Sequence, residues 1–349
     1  MFDLNTILRE NIKKLVPYSS ARDEFKGEAS VYLDANENAF GSPIEEQYNR
    51  YPDPLQWKVK EKISRIKGVP PKNIFLGNGS DEAIDILFRA FCRPGIDNVI
   101  ILPPTYGMYE VSANINDVEI RKVNLTADYQ PDLDAIAEAV DENTKLIFVC
   151  SPNNPTGNSF YREAVEAMLV NFNGLVVIDE AYINYSRQKS FIQELTEYPN
   201  LVVLQTLSKA WGLAALRMGM AFASEEIIEI FNKVKPPYNI SEASQQLVLK
   251  ALDNVEQVNS WIKEIILERD KLVLSLKNFN FVLDIYPSDA NFILVKTTDA
   301  NGIYNFLVEK GIIVRNRTKV ELCEGSLRIT VGTPEENQKL IETLKSFQG

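Results

Sequence analysis

The middle of the chain alternates short apolar runs with amphipathic segments. The apolar runs are continuous and rich in Val, Ile and Leu, as is typical of strands buried on both faces. They predict five strands, at residues 98–102, 145–150, 175–179, 201–205 and 218–223. In the segments between them, apolar residues recur every three or four positions, which predicts helices over 81–91, 133–140 and 162–171. This alternation predicts an α/β unit with a mostly parallel central sheet flanked by helices.

The last third of the chain follows a different pattern. A long amphipathic segment over 255–276 precedes predicted strands at 281–286, 291–296, 312–315 and 326–331, with predicted helices at 302–310 and 334–347. This order is typical of a smaller α+β unit. The predicted organisation is an N-terminal arm with part of the small domain over 1–35, a large domain over 36–255 and a small domain over 256–349.

Composition narrows the possible chemistry. The chain has 349 residues and a formal net charge of −11, so it lacks the overall basic character that binding to a nucleic-acid backbone favours, while a local basic pocket for a small anion stays open. It contains no histidine, which excludes a Ser-His-Asp triad, a Cys-His pair and a histidine-ligated zinc. Acid–base chemistry must therefore use Lys, Tyr, Asp, Glu or Cys, and we predict no metal site.

Cysteine spacing and hydropathy indicate the compartment. Cys92, Cys150 and Cys323 are far apart in the chain, which predicts reduced thiols, the first two in or near the core, rather than a disulfide framework. The first residues do not combine a basic start with an apolar run, and no apolar run reaches the ~18 residues that a membrane helix needs. We expect a cytoplasmic protein that binds neither nucleic acid nor membrane.

Polar segments adjoin the predicted strands and helices, at the edge where open α/β sheets bind ligands. The segment GNGSDE at 77–82 precedes a helix, whose free N–H groups attract anions; a simple N-cap at Ser80 is the alternative. This segment lacks the third glycine of a dinucleotide-binding loop. The segment SPNNPTG at 151–157 follows a strand and contains Asn154, whose amide can face a ligand oxygen; an ordinary Asn-Pro turn is the alternative.

Two further segments carry ionisable groups. Asp179 ends a predicted strand, and a buried carboxylate needs a partner such as a protonated ring nitrogen; a helix cap or a salt bridge is the alternative. Lys209 follows the next strand, and a desolvated amine forms Schiff bases, whereas an isolated lysine is usually a solvated surface group. Ser208 and Arg217 are close enough in sequence to hold a phosphate near this amine.

Together, the four segments resemble the fold-type I aminotransferases that use pyridoxal 5′-phosphate. The resemblance spans about residues 15–347 and rests on the order and spacing of Asn154, Asp179, Tyr182, Lys209 and Arg217. It implies that Lys209 binds the cofactor covalently and shuttles a proton, and that Asp179 pairs with the cofactor's ring nitrogen. Asn154 and Tyr182 would hydrogen-bond its phenolic oxygen. The remaining cofactor contacts that the resemblance implies are Tyr106, stacked on the ring, and Gly79, Ser80, Asp81, Ser208 and Arg217, around the phosphate.

Other motifs are similar to those of the histidinol-phosphate aminotransferase family. They are PYSSAR at 17–22, LDANEN at 33–38, RYPDP at 50–54, PPTYGMY at 103–109 and LRITVG at 327–332. That family exchanges an amino group between L-histidinol phosphate and 2-oxoglutarate in histidine biosynthesis. The resemblance implies that Arg328 binds the α-carboxylate of glutamate or 2-oxoglutarate. It also implies that Arg315 helps to bind the second anionic group, a phosphate or a distal carboxylate.

The same resemblance implies residues that act between subunits or line the substrate pocket. Tyr18, Asn36 and Asn239 would contact substrate. Tyr51 would reach the cofactor phosphate of the neighbouring subunit, which implies a homodimer. Tyr18 and Tyr51 as core aromatics, and Arg315 as a surface ion pair, are the alternatives.

Related activities on the same fold remain open. Threonine-phosphate decarboxylases and aromatic amino-acid aminotransferases have similar sequences. A cofactor-sensing transcription factor would need a DNA-binding module, and the segment before Asn36 has no basic recognition helix. Ala215 stands where the family usually has glycine, a backbone-packing difference away from the chemistry.

Overall fold

The computed structural model describes residues 2–18 and 30–347, so the 17–22 motif lies mostly outside the described residues. The helices of the described ranges are α1 (Leu4–Ile7), α2 (Glu10–Lys13), α3 (Trp57–Lys67), α4 (Ser80–Phe91), α5 (Met108–Ile115), α6 (Leu133–Ala139), α7 (Arg162–Asn171), α8 (Glu225–Val234), α9 (Glu242–Ala251), α10 (Val255–Leu276), α11 (Ala300–Glu309) and α12 (Pro334–Leu344). The strands are β1 (Ile74–Asn78), β2 (Asn98–Ile101), β3 (Glu119–Lys122), β4 (Thr144–Cys150), β5 (Leu175–Asp179), β6 (Leu201–Thr206), β7 (Met218–Phe222), β8 (Val282–Ile285), β9 (Phe292–Thr297), β10 (Arg315–Asn316) and β11 (Ser326–Thr330). Short 3₁₀ helices cover Pro71–Asn73, Ile183–Tyr185, Phe191–Glu194 and Ala214–Leu216.

Within the described residues, the large sheet has seven strands in the order β1-β7-β6-β5-β4-β2-β3. All pairings are parallel except those of β7, which is antiparallel to both of its neighbours. The connection from β6 to β7 covers only residues 207–217, which is too short for the helical crossover that a parallel pair needs. The predicted mostly parallel sheet is therefore confirmed, with one reversed strand.

The structure contains several elements that were not predicted, among them helices α1, α2, α3, α5, α8 and α9, and one predicted strand lies elsewhere. Strands β1 and β3 were not predicted, because β1 is a short run that ends in Gly-Asn and β3, with the sequence EIRK, carries charged residues at the sheet edge. The predicted strand at 312–315 is wrong in position, since only Arg315 and Asn316 pair. The ends of the other predicted helices and strands lie within a few residues of the observed ends, as is usual because the terminal residues of such elements are irregular.

Apolar side chains cover both faces of the large sheet. In β4, Ile147 and Val149 belong to one core and Phe148 and Cys150 to the other, as the alternation of side chains along a strand requires. All three cysteines are free and buried, as predicted for Cys92 and Cys150. No helix in the described part of the chain is long and apolar enough to cross a bilayer.

The N-terminal helices pack on the large domain. Ile7 and Ile12 lie in the core that also contains Phe91, and the Arg9 N–H donates to the Ala90 carbonyl at 3.1 Å. The helices α1 and α2 therefore pack against the large domain, and the predicted bounds of the arm stay predictions.

The small sheet has the order β10-β11-β9-β8 and is antiparallel throughout. Helix α10 joins the two units. Its residues Val258 and Ile262 pack in a core of the large sheet, whereas Leu272 and Leu276 pack in the core of the small one. The predicted domain boundary between residues 255 and 256 falls at the start of α10. Because α10 packs in both cores, this boundary stays a prediction.

The topology brings the polar segments to one edge of the large sheet. Strands β4, β5 and β6 are parallel, so the residues that follow their carboxyl ends lie side by side. Arg217 directly precedes the antiparallel β7 and so lies at the same edge. The small sheet contributes Arg315 of β10 and Arg328 of β11 to this region.

Candidate active site

A cavity of about 560 Å³ lies where the edge of the large sheet meets the small sheet. The predicted residues that line it are Gly79, Ser80, Asp81, Tyr106, Asn154, Asp179, Tyr182, Ser208, Lys209, Arg217, Arg315 and Arg328. They come from segments that are far apart in the sequence. Lys209 and Asp179, the two groups on which the sequence interpretation depends most, therefore face the same space.

Asp179 is a carboxylate held in the protein interior. It is 2% exposed. The Tyr109 hydroxyl donates to its Oδ2 at 2.8 Å, and the Ala181 N–H donates to its Oδ1 at 3.1 Å. Burial raises the pKa of Asp179, whereas these hydrogen bonds and the positive charge of Lys209 lower it. A cationic ligand atom beside the carboxylate would favour its ionised form further.

Lys209 lies in the loop after β6, where its side chain reaches the cavity. Its Nζ is 5.5 Å from the centre of the Tyr182 ring. Partial burial of the amine, followed by the charge of Arg328, lowers its pKa, and the charge of Asp179 opposes this change. A lowered pKa increases the share of neutral amine, which is the nucleophilic form.

One end of the cavity is suited to an anion. Helix α4 begins at Ser80, so its first N–H groups lack partners within the helix. Arg217 Nη2 is 3.5 Å from Asp81 Oδ2. The Ser208 hydroxyl is buried without a hydrogen-bond partner among the described residues. Gly79, at a φ of +73°, is the N-cap, so the alternative of an N-cap at Ser80 is wrong.

Asn154, Tyr182 and Tyr106 complete the wall between these groups. The Oδ1 of Asn154 accepts a hydrogen bond from Arg328, so the amide nitrogen is the end that can donate to a ligand. Burial raises the pKa of Tyr182, which keeps its hydroxyl protonated. The Tyr106 hydroxyl donates to Asp81 at 3.1 Å, which ties its ring to the start of α4.

Sequence reasoning missed two residues that the structure places at this site. Tyr109 holds Asp179 and stacks on Phe148, with 4.7 Å between ring centres. Its position three residues after Tyr106, at the start of a helix, is a signal that could have pointed to it. Arg317 lines the cavity two residues after Arg315, the spacing that places two side chains on one side of an extended chain.

Four predicted residues do not line this cavity in the described chain. Tyr18 is 73% exposed. Asn36 and Tyr51 line a second cavity, where Tyr51 stacks on Tyr238 with 4.5 Å between ring centres. The Asn239 amide nitrogen donates to the Leu76 carbonyl at 2.9 Å and to Glu82 at 3.1 Å. Their roles in binding substrate or cofactor stay predictions.

Comparison with known proteins identifies the family. Residues 31–344 match the sequence model of the family described as aminotransferase class I and II. A curated relative from Parabacteroides distasonis, named histidinol-phosphate aminotransferase, is 54% identical over 348 residues, which cover 100% of both proteins.

Two solved structures share the fold. Histidinol-phosphate aminotransferase from Sinorhizobium meliloti, in complex with pyridoxal 5′-phosphate, has a TM-score of 0.78 and 24% identity, covering 89% of this chain and 90% of that one. L-threonine-O-3-phosphate decarboxylase from Porphyromonas gingivalis has a TM-score of 0.74 and 21% identity, covering 86% and 91%. These structures confirm the predicted fold-type I architecture, and fold alone does not separate the two activities.

The fold does not distinguish the aminotransferase from the decarboxylase, but the 54% identity over the full chain does, because it relates this chain to one group of aminotransferases. This chain belongs to the class I and II aminotransferase family and, within it, to the histidinol-phosphate aminotransferases.

Proposed function

We propose that this enzyme uses pyridoxal 5′-phosphate to transfer an amino group between L-histidinol phosphate and 2-oxoglutarate. The observation that carries this proposal is the single cavity in which Lys209, Asp179 and an arginine cluster meet. The products would be imidazole acetol phosphate and L-glutamate, as expected of a step in histidine biosynthesis.

The residues present fit this cofactor. A buried carboxylate is available for the pyridine nitrogen at Asp179 and an amine for the aldehyde carbon at Lys209. At the anion end, the orphaned hydroxyl of Ser208, the N-terminus of α4 and the guanidinium of Arg217 suit a phosphate. Gly219 supports this end because a Cβ there would lie 2.1 Å from the Ser80 nitrogen.

When bound, the cofactor supplies an electron sink that stabilises negative charge on the substrate's α-carbon. Asp179 keeps the ring nitrogen protonated, which maintains that capacity. Lys209 would bind the cofactor and, once displaced by substrate, carry a proton between the substrate's α-carbon and the C4′ carbon of the cofactor. Asn154 and Tyr182 donate hydrogen bonds to the phenolic oxygen, and Tyr106 covers the ring.

The arginines select the substrates. Arg328 binds the α-carboxylate of glutamate or 2-oxoglutarate, and Arg315 binds the group at the other end. Both substrates carry close to two negative charges, on one phosphate in histidinol phosphate and on two carboxylates in 2-oxoglutarate, and a chain of net charge −11 needs local guanidinium groups to hold them.

We further propose a cytoplasmic homodimer. Tyr18, Asn36 and Tyr51 are exposed in the single chain, as residues that complete a neighbour's site would be. Asn239 holds the segment beside the second cavity in place through its contacts with Leu76 and Glu82. No nucleic-acid or membrane partner is part of this proposal.

The proposal is tested by absorbance of the purified, cofactor-loaded enzyme. We expect the cofactor band to bleach on addition of L-histidinol phosphate and to return on addition of 2-oxoglutarate. Lys209→Ala should abolish turnover, and Lys189→Ala, at an exposed lysine outside the cavity lining, is the control. Release of CO2 from threonine phosphate, without bleaching by histidinol phosphate, would instead support the decarboxylase.

A further inference from the structure

Three arginine side chains of the small domain line the cavity, where the sequence interpretation used two. Arg315 and Arg328 are directly opposed in the β10–β11 pair. Arg317 follows two residues after Arg315, and all three face the space that holds Lys209 and Asp179. The small domain therefore presents a cluster of three guanidinium groups to the reacting centre, which we call the arginine cluster.

Arg317 is held in place by its own backbone. Its N–H donates to the Ser326 carbonyl at 2.9 Å, and its carbonyl accepts from the Val320 N–H at 2.8 Å. Its Nε is buried and has no hydrogen-bond partner among the residues that the structure describes. A buried donor without an acceptor is unfavourable, so a ligand oxygen is the natural partner for it.

The arginine cluster has no counter-ion within the described chain. No carboxylate of residues 2–18 or 30–347 forms a salt bridge with these arginines, and Arg328 donates instead to the neutral amide of Asn154. Burial, followed by the charges of Arg328 and Arg315, lowers the pKa of Arg317 to about 10. Three cations close together without an anion repel one another, so the cluster favours a ligand with more than one negative charge.

We propose that Arg317 makes this cavity prefer a phosphate monoester to a carboxylate at the distal end of the substrate. This inference rests on the proposed function, in which one substrate ends in a phosphate and the other in a carboxylate. A phosphate monoester carries about −1.5 to −2 charge at pH 7 and three acceptor oxygens. A carboxylate carries one charge on two oxygens, which a single guanidinium fork already satisfies. Arg317 therefore donates to an oxygen that only the phosphate has.

The test compares two half-reactions of the cofactor-loaded enzyme, one with L-histidinol phosphate and one with L-glutamate. R317Q removes the charge, and R317K keeps the charge without the fork. K319Q is the matched control, because Lys319 is an exposed cation on the same turn. We expect R317Q to lower kcat/KM for histidinol phosphate about 30-fold and for glutamate less than about threefold. R317K should be intermediate, and K319Q should match the wild type.

An equal loss for both substrates, or no loss for either, would overturn the inference. A calorimetric titration of the cofactor-loaded enzyme with propyl phosphate and with butyrate provides a readout that needs no turnover. We expect the wild type to prefer propyl phosphate and R317Q to lose that preference; a preference that survives in R317Q overturns the inference. The preference for propyl phosphate over butyrate could depend on Arg317 in an enzyme that does not use histidinol phosphate as a substrate. In that case the proposed function is wrong and the inference about Arg317 stands. Should R317Q not fold, R317K carries the same comparison.

Discussion

At the scale of single residues, the proposed mechanism depends on two ionisable groups with opposed requirements, the buried Asp179 and the partly buried Lys209. Asp179 must stay ionised although burial raises its pKa, and Lys209 must release its proton readily, which partial burial favours. The Tyr109 hydroxyl donates to Asp179 and so favours the ionised form. Tyr109 is therefore a positioning residue that acts through the carboxylate.

Removing the Tyr109 hydroxyl should weaken binding of the cofactor. In Tyr109→Phe, Asp179 loses one of its two hydrogen bonds, its pKa rises, and its pairing with a cationic ring nitrogen weakens. We expect at least a tenfold higher dissociation constant for pyridoxal 5′-phosphate, which corresponds to about 1.4 kcal/mol. An absorbance titration of the cofactor-free protein measures it.

Tyr185→Phe is the control for this substitution, because the Tyr185 hydroxyl is buried without a partner in the described chain. Its removal should leave the cofactor's affinity within about twofold. If both variants bind the cofactor as the wild type does, the hydrogen bond to Asp179 is not what holds the ring.

Ionisable residues at the ends of buried strands were the easiest to predict from the sequence. Lys209 and Asp179 each follow or end an apolar strand, so type and position together indicate their role. Tyr109 was not assigned in this way, because its contribution arises from a contact with Asp179, which is distant in the sequence. Arg317 was not assigned because it lies in a loop and not at the end of an apolar strand.

At the scale of elements, the start of α4 depends on a close approach between two backbones. A Cβ at Gly219 would lie 2.1 Å from the Ser80 nitrogen and 2.2 Å from the Gly79 carbonyl carbon. Neither atom belongs to a flexible side chain. A larger residue at 219 must therefore displace the helix start that lines the anion end of the cavity.

We expect Gly219→Ala to lose cofactor affinity at least tenfold and stability by about 1–3 kcal/mol. Gly174→Ala is the matched control, since its Cβ would lie 2.4 Å from the Lys145 carbonyl oxygen at the opposite end of the sheet. It should be destabilised to a similar degree but bind the cofactor normally once folded. Chemical denaturation and cofactor titration separate the two effects, and equal affinities in the two variants would contradict the expectation.

Helix α3 contains a buried lysine that links stability to pH. Lys60 is 2% exposed, and burial, with the charge of Lys235, lowers its pKa from 10.5 to about 8. Below pH 8 both the folded and the unfolded chain carry this charge, so the cost of burying it is fully present. Between pH 8 and 10.5 the unfolded chain binds more protons, so this group makes stability rise with pH.

Lys60→Met should remove that contribution. We expect the variant to gain stability relative to the wild type at pH 7 and to lose this advantage as the pH rises to 10.5. Denaturation midpoints measured at several pH values test the difference. A constant gap between the two proteins would show that Lys60 is not the titrating group.

The positions and directions of the strands were only partly predictable from the sequence. The hydrophobic runs located β4, β5 and β6, because strands buried on both faces are continuous in sequence. The direction of β7 follows from the length of the loop before it, and the edge strand β3 has too few apolar residues to be recognised. Local pattern therefore predicts buried elements better than edges.

At the scale of the whole molecule, the active cavity is shared between two sheets. Arg328 of the small sheet donates to Asn154 of the large domain, so a residue proposed to bind substrate contacts one proposed to bind the cofactor. Sequence patterns predicted both units but not how they meet, because that arrangement depends on α10 packing in both cores.

The proposed homodimer makes a prediction at this scale. If Tyr51 acts in the neighbour's site, a heterodimer of Lys209→Ala and Tyr51→Ala chains has one site with both defects and one site with none. Mixing the two inactive variants under subunit exchange should restore up to half of the activity per heterodimer. Each variant mixed with itself is the control, and no recovery would place Tyr51 in its own subunit's site.

The connection between β6 and β7 contains both Lys209 and Arg217 within residues 207–217. In the proposed mechanism, this one short loop would bind the cofactor both at its reactive carbon and at its phosphate. Binding of the cofactor should restrain this loop at two points. The amide protons of the loop should then exchange with deuterated solvent more slowly than in the cofactor-free protein. Mass spectrometry of this peptide would report cofactor occupancy without any colour change or turnover.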